Sequence, residues 1–152
     1  MRYVLMMAAL AAATGPVVAQ DGHKVFDPDA IEWGPGPATL PPGAEASVLY
    51  GNPAEDGLFA LRLKFPPGYH IPAHLHPKPE VVTVISGAVK LGSGEKADPD
   101  AGETITAGGL FTMPPEMAHY LYTDQEAVVQ LNSVGPFTVT YIDPADDPRK
   151  TQ

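Results

Sequence analysis

The chain has 152 residues, 44% of them apolar, and a net charge of −9. That length suits one domain around a single core. An acidic chain without Lys/Arg clusters is a poor partner for nucleic acid or for anionic membrane surfaces, because both are held by basic groups. There is no cysteine, which excludes disulfides, a thiol nucleophile and a thiolate metal site.

Residues 1–19 read as an export signal. Arg2 supplies the positive charge, Tyr3 to Ala13 is an apolar run, and Val17-Val18-Ala19 places small residues where a signal peptidase reads. The run falls short of the roughly 20 residues a spanning helix needs, so cleavage before Gln20 would leave no stable membrane insertion. The expected address is the periplasm. Residues 20–45 are polar and Pro-rich with no sustained period, and are expected to form an irregular arm anchored by Ile31 and Trp33.

From Ala46 to residue 143 the pattern is β. Phe59 to Phe65 alternates with period two, which turns Phe59, Leu61, Leu63 and Phe65 inward and Arg62 and Lys64 to solvent. His70 to His76 is extended, and Pro72 within it demands an edge or a bulge. Glu80 to Ser86 is β-branched, Gly87 turns the chain, and Ala88 to Leu91 is expected to pair back on it. Several short strands follow, up to Ile142, and residues 144–152 form a polar tail. The count is roughly eight to ten short strands at about 8–12 residue spacing, with no helical signal. The 18 prolines and 15 glycines punctuate them. The expected fold is all-β, a small antiparallel barrel or jelly roll.

Four metal-ligand side chains stand out. On an extended segment His74 and His76 point to one face. Glu80 opens the next strand after a short Pro-Lys-Pro connection, and His119 follows the turn at Pro114-Pro115. Imidazole and carboxylate bind first-row divalent ions where thiolate is absent. Together the four would fill four positions of an octahedron and leave two open.

The spacing Gly68-x5-His74-x-His76-x3-Glu80-x6-Gly87 matches the first cupin motif at every defined position. Gly108-x5-Pro114-x-Glu116-x2-His119-x3-Thr123 resembles the second, with Glu116 for the usual glycine and Thr123 for the usual asparagine. The chain therefore resembles a small, single-domain, exported bacterial cupin over Ala46 to Ile142. The resemblance implies a jelly-roll β-barrel with one divalent transition metal per chain (Fe, Mn, Ni, Cu or Zn) on His74, His76, Glu80 and His119. Small cupins are commonly dimers, so a homodimer is expected, with the arm a candidate for crossing to the partner.

Other residues enter by position. His70, four before His74, is a candidate partner for orienting a ligand imidazole. Phe59, Leu61, Val82, Met113 and Leu121 are candidate cavity walls, as are Leu63 and Val84. Leu121 and Thr123 share the face of His119, whereas Tyr120 and Tyr122 point away. Gln130, polar in an apolar run, reaches either cavity or solvent. Glu116 is a candidate general base at the mouth. The expected ligand is a small molecule, and an apolar wall suits an aromatic, enolic or other small organic one. Three functions are open: a metal-dependent oxygenase-type enzyme; a non-redox Lewis-acid lyase, isomerase or decarboxylase; or a non-catalytic periplasmic binder of a small ligand or metal.

Overall fold

A computed structural model describes residues 23–150, so the expected export signal lies outside the described residues. Among the described residues, eleven strands form two antiparallel sheets. The larger has the order β1-β2-β3-β10-β5-β8, built from β1 (Gly34–Pro35), β2 (Glu45–Tyr50), β3 (Gly57–Phe65), β5 (Glu80–Ser86), β8 (Leu110–Met113) and β10 (Ala127–Gly135). The smaller has the order β11-β4-β9-β6-β7, built from β4 (His70–Leu75), β6 (Ala88–Ser93), β7 (Glu103–Thr106), β9 (His119–Tyr122) and β11 (Thr140–Tyr141). The helical elements are single 3-10 turns at Pro28–Ala30, Pro144–Asp146 and Pro148–Lys150. The chain is an all-β jelly roll, as the strand spacing implied.

The period-two strands bury the expected side. On β3, Phe59, Leu61, Leu63 and Phe65 are buried and meet Val82, Val84, Val129 and Leu131 of β5 and β10 in one core. Ile71, Val89 and Leu121 close that core from the smaller sheet. Burying each such side chain contributes about 1.5–3 kcal/mol.

Two expectations change. Ala88 to Leu91 does not pair back on β5: β6 pairs with β7 and β9, and β5 pairs with β10 and β8. Gly87 is thus the corner at which the chain passes between sheets. Its φ is +70°, and a Cβ there would run into the Glu126 carbonyl. The arm is also less irregular than its sequence suggests, since Gly34 and Pro35 pair with Ala46 and Glu45. β1 is an edge strand, which tolerates proline because its outer side needs no donor.

Ile31 and Trp33 are half-buried, and Trp33 carries the Lys64 ammonium over its ring at 4.9 Å. The deeper anchors lie further along. Leu40 and Ala44 are buried in the core, the Tyr141 hydroxyl donates to the Thr39 carbonyl at 2.7 Å, and the Tyr69 hydroxyl donates to the Pro41 carbonyl. The polar tail is tied down too: Arg149 donates to the Val139 carbonyl at 3.1 Å and pairs with Asp147 at 2.7 Å.

Candidate metal centre

β4 and β9 are neighbours, and His74 sits directly opposite His119 across the pair. His76 lies just past the end of β4. Glu80 opens β5 on the other sheet, opposite Met113. The two layers therefore contribute donors to one point. One ring nitrogen each from His74, His76 and His119 lies within 4.8 Å of the others. Ring centroids are 4.3 Å apart for His74–His119 and 4.9 Å for His74–His76. Glu80 joins them, with Oε1 at 3.4 Å from His76 Nε2 and Oε2 at 3.2 Å from His119 Nε2. None of the four is more than 4% exposed.

The tautomers follow from the backbone. Nδ1 of His74 faces the Pro72 carbonyl at 2.7 Å, Nδ1 of His76 the Thr138 carbonyl at 2.8 Å, and Nδ1 of His119 the Met117 carbonyl at 2.9 Å. A carbonyl only accepts, so each Nδ1 carries the proton, and in neutral rings each Nε2 presents a lone pair. Burial holds His74 well below the ordinary imidazole value, helped by His119 and His76 beside it. Burial also lowers His76, against the opposing pull of the Glu80 carboxylate. The result is a set of lone pairs facing a carboxylate. His76 Nε2 is buried with no hydrogen-bond partner. Among the described residues, lysine and arginine pair with Glu45 and Asp147, and neither pairing neutralises Glu80. A buried carboxylate among acceptors is costly unless a cation sits between them. The donor set fits a divalent transition metal.

Loop 136–139 holds the outer side of His76. Phe137 stacks on the imidazole at 4.5 Å and meets Phe59 edge-on at 5.4 Å. Sequence reasoning missed Phe137 and Thr138, because nothing in the local pattern connects them with a residue about sixty positions earlier.

Thr123 and Glu116 occupy the two positions that depart from the second motif. Thr123 Oγ1 donates to the Pro66 carbonyl at 2.9 Å and accepts from Tyr69 N–H at 3.1 Å, tying β9 to the turn before β4. Glu116 has φ +62°, a left-handed conformation that glycine adopts without strain. Its side chain is exposed, while its N–H donates to the His76 carbonyl at 2.8 Å. Its backbone serves the turn, and its side chain faces solvent.

The remaining candidates divide. A cavity of about 40 Å³ adjoins the donors, lined by His74, Glu80, His119 and seven apolar residues that include Val82 and Leu121. Phe59, Leu61 and Met113 are buried but are not part of this lining. Leu63, also expected there, lines it, as do Phe65, Ile71, Phe111 and Leu131, whereas Val84 is buried outside it. Gln130 faces the outer side of the large sheet, accepting from Arg62 Nε at 3.2 Å.

His70 is also placed elsewhere. The β4–β9 register slips by one residue between Ile71 and His74. That bulge inverts the parity, so His70 leaves the face of His74 and stacks on Tyr122 at 4.2 Å. Tyr120, expected to point away, does so but is buried at 2% exposure, because Gly92 leaves room for its ring.

An antiparallel jelly roll that presents three histidines and a glutamate at these spacings has the cupin fold. Within it, residues 4–140 match the family described as "Domain of unknown function (DUF4437)", and the chain belongs to that family. Germin-like protein 3-1 of Oryza sativa subsp. japonica is 35% identical over 106 residues, covering 66% of this chain and 43% of the relative. The chain thus spans less than half the length of that relative. Among solved structures, a candidate acetylacetone dioxygenase from Methylibium petroleiphilum PM1 aligns with a TM-score of 0.64 at 20% identity, covering 87% of this chain and 89% of the other. The polyketide cyclase RemF from Streptomyces resistomycificus aligns at 0.63 with 17% identity, covering 84% and 91%. At these identities the two structures establish the shared fold.

Proposed function

We propose that the protein is a metal-dependent enzyme of the oxygenase type, acting on a small organic molecule, with one divalent transition metal on His74, His76, Glu80 and His119. The observation that carries this is the convergence of buried Nε2 lone pairs on the Glu80 carboxylate at 3.2–3.4 Å. When bound, such an ion supplies Lewis acidity and, if iron, manganese or copper, redox chemistry with dioxygen. The chain's own part is to fix the donors. Three backbone carbonyls hold the imidazoles in one tautomer, and apolar walls limit access of water.

The non-redox reading needs a separate acid or base. The buried side chains with a polar or charged group among the described residues are the four donors, Thr123, Ser133, Tyr69, Tyr120 and Tyr141. Thr123, Ser133, Tyr69 and Tyr141 are tied to backbone carbonyls and Tyr120 points away from the donors, so Glu80 itself would have to serve. That weighs toward the oxygenase type. A non-catalytic binder would show the same metal and no turnover.

Elemental analysis of the purified protein should find about one divalent metal per chain, as a single four-donor site requires. Loaded protein should consume oxygen with some member of a panel of small carbonyl and enolic compounds. Folded protein that takes up no metal would sink the proposal. Metal without oxygen use would return the choice to the other two readings. We propose further that residues 1–19 direct the chain to the periplasm and that it forms a homodimer. Cell fractionation and light scattering check these points.

A further inference from the structure

An antiparallel sheet that packs one side on the core normally turns polar residues outward on the other. The outer side of the large sheet departs from this. Five of the nine large hydrophobic side chains exposed among the described residues lie there: Tyr50, Leu58, Val81, Ile85 and Leu110, at 40–68% exposure. The cross-strand register joins the strands into one surface. Tyr50 lies opposite Ala60, Ala60 opposite Asn132, and Asn132 opposite Val81. In the next row Arg62 lies opposite Gln130, Gln130 opposite Thr83, and Thr83 opposite Leu110. Contiguous apolar surface that faces water marks an interaction site.

Charge and size select the occupant. The chain carries −9, so its acidic surfaces repel a second copy and any acidic partner. On this side β3, β5, β8 and β10 present no carboxylate, and Lys64 is neutralised by Glu45 of β2 at 2.9 Å. Arg62 is the cation left over. Its guanidinium has several N–H donors and gives one to Gln130 at 3.2 Å. Acceptors for the others stand on the same strip, in Thr83, Gln130 and Asn132, and a two-fold copy brings a second set of them. β3 and β10 are nine residues long. Strands of about 3.3 Å per residue, five abreast at about 4.8 Å, outline roughly 600 Å² before side-chain relief, close to the about 800 Å² per partner of a standard interface.

We propose that this face is where two copies of the chain meet, large sheet against large sheet, about a two-fold axis. The inference rests on the homodimer proposed above for the existence of a second copy, and on the face alone for its location. The metal donors point to the opposite side of the same sheet, so each copy keeps its own site.

Leu58→Glu combined with Leu110→Glu places charges at both flanks of the face, at positions exposed in a single copy. Light scattering should find the native protein dimeric and the double variant monomeric. The dissociation constant is expected to rise about a hundredfold or more, because each unpaired charge enters a two-fold interface twice. Circular dichroism checks the fold. The chain has no cysteine, so Thr83→Cys supplies a single thiol within the face. Its labelling by a thiol reagent should be slow in the dimer and speed up on dilution. If the double variant does not fold, this thiol decides, and labelling that ignores protein concentration would overturn the proposal. A dimer that persists in the double variant would also overturn it and leave the homodimer standing. A native monomer would remove both, including the case in which residues 1–22 of the same chain shield the thiol.

Discussion

The Nδ1–H of His76 donates to the carbonyl of Thr138 at 2.8 Å, across 62 residues of sequence. With Phe137 stacked on the ring, the loop after β10 sets the direction in which Nε2 points. Partners of this kind typically change metal affinity 10–100-fold when removed. Phe137→Ala is expected to weaken metal binding by about tenfold while the fold survives. Competition with a chromophoric chelator measures it, and circular dichroism checks the fold.

His76→Ala and His119→Ala each remove a donor. Metal content is expected to fall from about one per chain to near zero, as loss of one member of a four-donor set implies. Elemental analysis reads this directly. Unchanged occupancy would take that histidine off the list of donors.

Acid should loosen the protein. The unfolded chain takes up protons near the ordinary histidine value of 6.5, whereas burial holds His74 and His76 below it in the fold. The folded state therefore binds fewer protons in that window. Stability is fully present above about pH 6.5 and declines as pH falls from there toward the lowered folded values, below which both states are protonated. Metal affinity falls in the same direction, because protons compete for Nε2. Thermal unfolding of metal-free protein between pH 8 and pH 5 is the test, and a flat profile would contradict it.

Glu116 holds a left-handed φ of +62° that carries a cost for any residue with a Cβ. Glu116→Gly is expected to stabilise the fold by up to about 1 kcal/mol, the relief of strain being partly offset by entropy gained in the unfolded chain. Metal content should not change. Loss of metal or activity on this substitution would show that the carboxylate does more than fill a turn.

Thr123 bridges Pro66 and Tyr69 from a buried position. Thr123→Val keeps the shape and removes one of the two acceptors of the Tyr69 N–H, which also donates to the Pro66 carbonyl at 3.3 Å, at a cost of about 0.5–1.5 kcal/mol. Urea denaturation measures the loss.

The strands and the four donors are legible in the sequence because both rest on short-range geometry. Alternation in Phe59 to Phe65 declares its own inner face, and His74-x-His76 needs only an extended backbone to align. Features set by partners far along the chain are not legible in this way. Pro72 announces a bulge, but its effect on His70 depends on the register with β9. Gln130 looks like a polar group entering a core until its cross-strand neighbour Arg62 is known. Core positions and cavity positions on β3 share one parity, so alternation cannot separate Leu61 from Leu63, although Leu63 lines the cavity and Leu61 does not.

Glu80 belongs to one sheet, while His74 and His119 belong to the other. An ion gripped by all four would rivet the two layers together. Its escape would require the layers to part or one donor to let go, so the dissociation rate becomes a clock for the breathing of the barrel. A substitution far from the donors that loosens the seam between sheets should be audible in that clock before it registers in a melting temperature.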